Sequence, residues 1–172
     1  LFKNLIKINN KLCSEFTVMN IFVNDGSTDK TTEKIDQLKN NLNVKIINHL
    51  ENIGPGAAFA TAFKFLSNII RKNDTILTME GDNTSNADII PKMLYRSKEG
   101  YEVILASPFM YGGGFSHTIW YRRFLSMVAN LIMKDLLNVN GILTISSFFR
   151  MYNGNSIIKL QRVFGNNIIE RC

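Results

Sequence analysis

T-I-L-T-M-E-G-D, from Thr75 to Asp82, is the stretch that decides the fold. Its apolar part predicts a buried strand, and Glu80 and Asp82 follow where that strand ends. Ligands of open α/β sheets bind beyond the carboxyl ends of the strands, so these two carboxylates would face a ligand. Mg²⁺ and Mn²⁺ prefer carboxylate oxygens, and Mg²⁺ is typically held by one or two carboxylates together with substrate phosphates. Taken alone, E-x-D is equally compatible with a solvated acidic turn.

A second predicted strand, Thr17 to Val23, also runs into an acidic turn, N-D-G-S-T-D. Gly26 permits a tight turn, and Ser27 or Thr28 can cap the helix that follows. Asp25 is then left at the edge of the sheet. A plain strand-turn-helix connection explains the cap but not a second acidic strand end.

The segment N-I-G-P-G-A-A opens the next predicted helix. Pro55 suits a first helical turn, and Asn52, Gly54 and Gly56 lie around it. A helix start exposes backbone N–H groups and a partial positive charge, which suits a phosphate or the close approach of a nucleotide. Tight packing of the helix on a sheet explains the same small residues, and both interpretations stay open.

Strands and helices alternate along the chain, which predicts βαβ units and a mainly parallel sheet. The predicted strands are Thr17–Val23, Asn43–Asn48, Thr75–Met79, Tyr101–Ala106 and Ile142–Tyr152. The predicted helices are Leu1–Leu12, Thr28–Asn40, one from Pro55, one from Asn86 or Asp88 to about Ser97, Phe115–Leu137 and Asn155–Phe164. Gly112 to Gly114 predict either a mobile lid or a plain linker.

The predicted helix Phe115–Leu137 has two contrasting sides. One third of its circumference carries Arg122, Arg123, Ser126, Asn130 and Lys134, and the opposite half is apolar. The polar side could be a solvated surface, and the apolar half could lie on a membrane surface.

Composition favours one ordinary globular domain. The chain has 172 residues, 45% hydrophobic content and a net charge of +6, which favours anionic partners. There is no basic patch with interleaved aromatic residues, so we expect no nucleic-acid partner. No run of about 18 apolar residues and no signal peptide is visible. Cys13 and Cys172 have neither metal spacing nor a disulfide framework, in keeping with a reducing cytosol.

Three motifs in succession resemble the family 2 glycosyltransferases of the GT-A fold, and the resemblance covers nearly the whole chain. They are V-N-D-G-S-T-D, then N-x-G-x-G-A-A, then an acidic strand end. The resemblance implies a Rossmann-like three-layer α/β/α fold with a mainly parallel central sheet. It also implies that residues 1–172 form a single catalytic domain that is incomplete, because the family's first strand and its carboxy-terminal part are not in this sequence.

For the donor, the resemblance implies a GDP- or UDP-sugar, and Mg²⁺ or Mn²⁺ bound by Glu80 and Asp82. Asp25 would accept hydrogen bonds from the base, and transfer would invert the anomeric centre. The predicted nucleotide-sugar-binding residues are Asp25, Gly26, Ser27, Asn52, Gly54, Gly56, Glu80, Gly81 and Asp82.

For the acceptor, W-x-x-R-x-x-S-x-x-x-N and S-S-F-F-R resemble the branch that glycosylates polyprenyl phosphates, such as dolichyl or undecaprenyl phosphate. A phosphate acceptor is already anionic at neutral pH, so it needs cations and no general base. The predicted acceptor-phosphate residues are Arg122, Arg123, Ser126, Asn130 and Arg150, and the predicted catalytic residues are Asp82, Arg123 and Arg150. Thr144 stands where the branch usually has Asp, and Phe148 where many members have Gly.

Two other functions stay open. A carbohydrate hydroxyl could be the acceptor, in which case Asp88 or a residue beyond this sequence would serve as base. A non-catalytic module that binds nucleotide sugars is favoured by Glu80 in place of the commoner Asp, and by Thr144. For the leading prediction we expect a peripheral protein at the cytoplasmic face of a membrane.

Overall fold

The computed structural model of the chain describes residues 1–110, 114, 120–138, 144 and 147–164, apart from the side chains of residues 122, 123 and 137. In chain order the elements are α1 (Phe2–Leu12), β1 (Asn20–Asp25), α2 (Thr31–Leu38), β2 (Val44–His49), α3 (Pro55–Ser67), β3 (Thr75–Thr78), a 3₁₀ turn (Ala87–Ile89), α4 (Ile90–Lys98), β4 (Val103–Leu105), α5 (Trp120–Leu137), β5 (Arg150–Asn153) and α6 (Gly154–Phe164). They group into two compact units, residues 1–74 with the segment from 154 onward, and residues 75–153.

Unit 1, residues 1–74 with α6, contains a parallel βαβ arrangement. Strands β1 and β2 pair in parallel from Asn20 opposite Val44 to Asp25 opposite His49. Helix α2 connects them and buries Ile35 and Leu38, two residues on its apolar side. Because both strands run in the same direction, their last residues, Asp25 and His49, become neighbours at one edge of the sheet.

Unit 2, residues 75–153, contains a three-stranded sheet in the order β3-β5-β4. Strands β3 and β4 both pair antiparallel to β5, with Thr78 and Leu105 each opposite Arg150. Its buried apolar residues are Ile76, Ala87, Ile90, Met93, Phe149 and Met151. The carboxyl ends of β3 and β4 therefore share one edge with Arg150, the first residue of β5.

The α/β succession is as predicted. The prediction of a mainly parallel sheet does not hold for the described strands, because β5 pairs antiparallel with both β3 and β4 and only β1 and β2 pair in parallel. Several bounds also differ. Strand β1 begins at Asn20 and includes Asp25, and β2 includes His49. The prediction of a long strand Ile142–Tyr152 is wrong in extent, because the described residues 144 and 147–149 are irregular and β5 begins at Arg150. Strand β4 is only partly buried because it lies at the edge of its sheet, and Val103 is 40% exposed.

The predicted cap of α2 is wrong. The helix begins at Thr31 after Lys30, so neither Ser27 nor Thr28 is its N-cap residue. The backbone N–H of Thr31 is satisfied by the Asp29 carboxylate at 3.0 Å, while that of Ser27 donates to the Asn24 side chain at 3.2 Å. Turn and helix start thus use two different side-chain acceptors. Asn86 does accept from the backbone N–H of Asp88, as predicted for the start of the later helix.

Candidate functional site

At the carboxyl edge of unit 1, the Asp25 side chain is held by three donors. Its Oδ1 accepts from His49 Nδ1 at 2.7 Å and from the Ile53 backbone N–H at 3.1 Å, and its Oδ2 accepts from the Gly54 backbone N–H at 2.8 Å. On its other side the imidazole contacts the Thr61 hydroxyl, with 2.8 Å between Nε2 and Oγ1. These five residues, Asp25, His49, Ile53, Gly54 and Thr61, are called the Asp25 cluster below.

The cluster stabilises the charged form of Asp25. The hydrogen bond from His49 is the largest cause that lowers the pKa of the Asp25 carboxyl, the bonds from Ile53 and Gly54 lower it further, and lost hydration opposes them. Asp25 is therefore an anion throughout the neutral range.

The chain after Asp25 lies tightly against the segment before α3. Gly26 has φ 67°, and a Cβ at this position would collide with the backbone of Glu51 and Asn52. Glycine therefore meets both a conformational and a steric requirement here. Asn24, which is buried, holds the turn from beneath, since its Nδ2 donates to Thr32 Oγ1 at 2.9 Å and to Asn48 Oδ1 at 3.1 Å.

The start of α3 was predicted to offer backbone N–H groups to a ligand. Two of the amides at this start, those of Ile53 and Gly54, instead donate to Asp25. Pro55 has no N–H, so the first-turn amides without an acceptor inside the helix are those of Gly56 and Ala57. Asn52 and Gly56 are exposed, and Gly54, at φ 96°, is half-buried. Of the predicted glycines, Gly54 therefore donates to Asp25, and Gly56 provides one of the two first-turn amides.

In unit 2, β3 ends at Thr78 and leads into an acidic turn, residues 80–84. Asp82 Oδ1 accepts from the Thr84 backbone N–H at 3.0 Å and from the Thr84 hydroxyl at 2.7 Å. Asn83 has φ 63°, a left-handed conformation that asparagine tolerates better than most residues. Partial loss of hydration, and then the nearby charge of Asp82, raise the pKa of the Glu80 carboxyl.

These two carboxylates fit a hard divalent cation. Lost hydration and the neighbouring charge of Asp82 both disfavour the charged form of Glu80, and a bound cation would favour it. In the part of the chain that the structure describes, no cluster of three or more histidine, cysteine or acidic side chains could hold a metal ion. A pair of carboxylates is the protein contribution expected where substrate phosphates complete the coordination of Mg²⁺.

Arg150 lies at the same edge of unit 2 and its orientation is fixed locally. Its Nε donates to the Ser147 carbonyl at 2.5 Å, and its Cζ lies 5.9 Å from the centroid of the Phe148 ring, within cation–π range. Thr78 Oγ1 donates to the Phe148 carbonyl at 2.8 Å, which ties this segment to β3. Phe148, noted above as a departure from the resembled pattern, thus helps to hold the predicted phosphate-binding arginine.

Thr144, the other departure, is buried. The distance between its Oγ1 and Ser107 Oγ is 2.7 Å, and Ser107 Oγ also accepts from the Phe109 backbone N–H at 3.2 Å. A hydroxyl pair therefore joins the segment after β4 to the segment before β5. Gly112 and Gly113, most of the predicted lid, lie outside the described residues.

Helix α5 exposes its apolar side. Asn130 is buried, and Ser126 and Lys134 are half-buried. The large apolar residues that are exposed on α5 are Trp120 (77%), Tyr121, Phe124, Leu125, Met127, Leu131, Ile132, Met133 and Leu136 (77%). The described polar residues Ser126, Asn130 and Lys134 are thus more buried than these apolar ones, the reverse of a solvated polar surface. The side chains of Arg122 and Arg123, two predicted acceptor residues, lie outside the described residues.

The predicted site residues form two groups. In unit 1, Asp25 and Gly26 lie against the loop of Asn52 and Gly54, with Ser27 next to them in the turn. In unit 2, the acidic turn with Glu80, Gly81 and Asp82 follows β3, whose last residue pairs with Arg150. That Asp25 and Asp82 share one cleft stays a prediction.

Sequence reasoning missed three residues, His49, Thr61 and Asn24. One signal for His49 was available, because it follows a predicted strand and parallel strands bring their carboxyl ends together. No comparable signal pointed to Thr61, whose role depends on how α3 packs.

The chain is an α/β protein in which β1 and β3 both lead into acidic turns. The model of glycosyl transferase family 2 matches residues 7–160, and the chain belongs to that family. The predicted GT-A fold is thereby confirmed.

Relatives with named activities support the same branch. The chain is 26% identical over 135 residues to a dolichol-phosphate mannosyltransferase of Pyrococcus furiosus, which covers 76% of this chain and 36% of the relative. It is 26% identical over 142 residues to a polyprenol monophosphomannose synthase of Mycolicibacterium smegmatis, a match that covers 81% of this chain and 52% of the relative. An undecaprenyl-phosphate 4-deoxy-4-formamido-L-arabinose transferase of Yersinia pestis is 31% identical over 86 residues, a match that covers 49% of this chain and 25% of the relative. The chain thus spans between a quarter and about half of these relatives.

Among the described residues, no helix has both the length and the apolar character needed to cross a membrane.

Proposed function

We propose that this chain supplies the sugar-transfer domain of an enzyme that moves a sugar from a nucleotide-diphosphate sugar to a polyprenyl phosphate. The observation that carries the proposal is the edge of unit 2, where β3 leads into Glu80 and Asp82 and its last residue pairs with Arg150. Two carboxylates suit a divalent cation and a fixed guanidinium suits a phosphate. One edge therefore offers groups for the donor diphosphate and for an anionic acceptor. The names of the relatives support this substrate class.

On the donor side, Asp25 would accept hydrogen bonds from the base, with Gly26, Ser27 and Asn52 around the nucleoside. Among the described residues, the bonds to Asp25 take two acceptor positions on Oδ1 and one on Oδ2, so Oδ2 keeps an acceptor position for a ligand. Guanine and uracil both carry ring N–H donors, so GDP- and UDP-sugars both fit. The first-turn amides of Gly56 and Ala57 are suited to the close approach of a nucleotide.

Glu80 and Asp82 would hold Mg²⁺ or Mn²⁺. When bound there, the ion would neutralise charge that develops on the departing nucleoside diphosphate. Asp82 is prepared for this role because Thr84 fixes its Oδ1, which orients the carboxylate.

On the acceptor side, a phosphate oxygen would bond to the anomeric carbon as that carbon's bond to the donor diphosphate breaks, with inversion. A phosphate monoester has a second pKa of about 6, so it is already an anion and needs no general base. Arg150 would offset the repulsion between acceptor phosphate and donor diphosphate. Arg122, Arg123, Ser126 and Asn130 of α5 are proposed to complete the acceptor site.

The exposed apolar side of α5 is proposed to lie on the cytoplasmic face of a membrane, where a polyprenyl phosphate resides. Nine large apolar residues of one helix are exposed, whereas Asn130 of its polar side is buried and Ser126 and Lys134 are half-buried. An exposed apolar surface of this extent marks an interaction site. An interfacial helix places such a surface at the boundary of headgroups and acyl chains.

Transfer to lipid tests the acceptor. A protein that contains this chain should convert a radiolabelled nucleotide sugar into a product that extracts with polyprenyl phosphate into organic solvent. Arg150→Lys should raise the concentration of polyprenyl phosphate needed, because lysine lacks the bidentate fork, while hydrolysis of the donor in water changes little. Label in a water-soluble glycan only would favour a hydroxyl acceptor. Equal loss of transfer and hydrolysis would remove the acceptor role of Arg150.

Vesicle binding tests the membrane surface. Replacing Leu125 and Leu131 together by Ser should weaken binding to phospholipid vesicles at least roughly tenfold, because each leucine side chain loses a favourable transfer from water. Val163→Ser is the matched control, since Val163 is 72% exposed but lies on α6 of unit 1. Vesicle binding by the double variant that equals that of the wild type would rule out α5 as the membrane-binding surface.

A further inference from the structure

The proposed function gives no role to His49, whose side chain contacts both Asp25 and Thr61. Both side chains are only slightly exposed, His49 12% and Asp25 18%, and 2.7 Å separates Nδ1 from Oδ1. The imidazole is fixed at both nitrogens, because Thr61 of α3 lies 2.8 Å from Nε2. His49 therefore connects the ends of two strands with the helix that follows.

The chemistry of this arrangement defines one tautomer. A carboxylate accepts and does not donate, so Nδ1 carries a proton and donates to Asp25. In neutral imidazole, Nε2 then accepts from the Thr61 hydroxyl. If the ring takes a second proton, the Thr61 oxygen accepts from Nε2 instead, and the bond to Asp25 remains.

The position of Asp25 depends on this bond. Ile53 and Gly54 contact the carboxylate from the loop before α3, and His49 is the side chain that contacts it from β2. The same loop lies against Gly26, the neighbour of Asp25. Removing the imidazole would therefore leave Oδ1 with one donor and free the carboxylate to rotate about its side-chain bonds.

We propose that His49 is a positioning residue of the nucleotide site: it holds the Asp25 carboxylate so that the remaining acceptor position on Oδ2 faces the base of the donor. This inference rests on the proposed function, because it assigns His49 to the base-binding role of Asp25. Thr61 orients the imidazole, and the sequence Asp25–His49–Thr61 is one connected chain of hydrogen bonds.

Two substitutions of similar size separate the two ring nitrogens. His49→Asn places an amide nitrogen near the position of Nδ1, where it can still donate to Asp25. His49→Gln extends its amide toward the position of Nε2, where it can reach Thr61 but not Asp25. A residue needed merely for folding would make no such distinction between Asn and Gln. Thr61→Val, which keeps the Asp25–His49 bond, completes the set.

The experiment is calorimetric titration of UDP and of GDP into the chain and its variants. We expect His49→Ala and His49→Gln to weaken whichever nucleotide the wild type binds by about tenfold or more, as for loss of a hydrogen bond to a charged group. His49→Asn should stay within about threefold of the wild type, and Thr61→Val should fall between these groups.

Hydrogen exchange of the backbone amides of Ile53 and Gly54 is the second readout. Both amides donate to Asp25, so His49→Gln should speed their exchange and His49→Asn should not. Equal affinities and equal exchange rates for the Asn and Gln variants would overturn the proposal, even if His49→Ala fails to fold. A wild type that binds a nucleotide together with unaffected variants overturns the role of His49 alone. A wild type that binds neither UDP nor GDP overturns the proposed donor site as well.

Discussion

The acidic strand ends after β1 and β3 both carry carboxylates, but the surroundings favour the charged form of Asp25 and disfavour that of Glu80. Asp25, at the end of β1, accepts from His49, Ile53 and Gly54, and these bonds lower its pKa. Glu80, in the turn after β3, has the charge of Asp82 nearby, and its pKa is raised. The charge of the first carboxylate is stabilised by hydrogen bonds from the protein, whereas the charge of Glu80 is disfavoured by lost hydration and by the neighbouring Asp82.

The difference teaches what each end is suited to bind. A carboxylate that is already stabilised as an anion, with one acceptor position left, suits a neutral donor such as the N–H of a base. Two carboxylates that repel each other gain most from a cation, because opposite charge removes the repulsion and the cost of lost hydration. Hydrogen bonds that stabilise the anion thus accompany the proposed base site, and a disfavoured Glu80 charge accompanies the proposed metal site.

The largest effect is expected from Asp82→Asn. Replacing a carboxylate by an amide removes one of the two anionic ligands, and we expect Mn²⁺ affinity to fall by at least the roughly 10- to 100-fold that outer-shell changes cause. Manganese titration followed by electron paramagnetic resonance measures this loss. Asp135→Asn, an exposed carboxylate of α5 in the same unit, is the matched control. Unchanged Mn²⁺ affinity in Asp82→Asn would contradict the metal role.

A smaller and different effect is expected from Asp25→Asn. The amide can accept through its oxygen alone, so its nitrogen would face one of the donors from His49, Ile53 or Gly54. We expect nucleotide affinity to fall about tenfold, by the same factor with and without Mn²⁺, because the base contact does not involve the metal. Calorimetric titration in both conditions measures the two factors. A loss that appears only with Mn²⁺ would erase the distinction between the two strand ends.

The smallest effects concern pH. The pKa of Glu80 is raised in the folded protein. Its negative charge therefore destabilises the fold at pH values above 4.5, the ordinary pKa of a glutamate side chain. Glu80→Gln should therefore raise the metal-free Tm at neutral pH slightly, by about 1–2 °C. Mn²⁺ affinity of the wild type should fall as pH decreases through the raised pKa. A lower Tm in Glu80→Gln would contradict this account.

The charge of Asp25 has the opposite effect on stability and stabilises the folded protein. Its pKa is lowered from an ordinary value of 3.8, so its contribution to stability is fully present above that value and is lost as pH falls through the lowered pKa. Acid unfolding followed by circular dichroism should therefore begin at higher pH in His49→Ala than in the wild type. Coincident acid transitions would show that the bond from His49 does not stabilise the anion.

The sequence predicted the succession of elements well, because apolar periodicity and glycine or proline breaks are local signals. Helices α1 and α6 and the first turn of α3 agree with the prediction to within one residue. The carboxylates Asp25, Glu80 and Asp82 were also recognised, since each follows an apolar run. The cap of α2 was wrong because several turn residues can accept hydrogen bonds, and only the folded turn determines that Asp29 does so.

What could not be predicted depends on contacts between distant residues. His49 and Thr61 join the Asp25 cluster because β2 pairs with β1 and α3 packs nearby, and no pattern in the sequence encodes that geometry. Phe148 and Thr144 both depart from the pattern of the polyprenyl-phosphate branch. Phe148 nevertheless contacts Arg150, and Thr144 pairs with Ser107. The periodicity of α5 defined its two sides without indicating which of them faces the protein.

The most direct test of the central claim compares a nucleoside diphosphate with its nucleoside. Titrations of UDP, uridine, GDP and guanosine into the chain, each with and without Mn²⁺, separate the base site of Asp25 from the metal site of Glu80 and Asp82. The account predicts that Mn²⁺ tightens binding of the diphosphate and leaves binding of the matching nucleoside unchanged. A diphosphate that binds equally well without Mn²⁺, or whose binding survives Asp82→Asn unchanged, would contradict it.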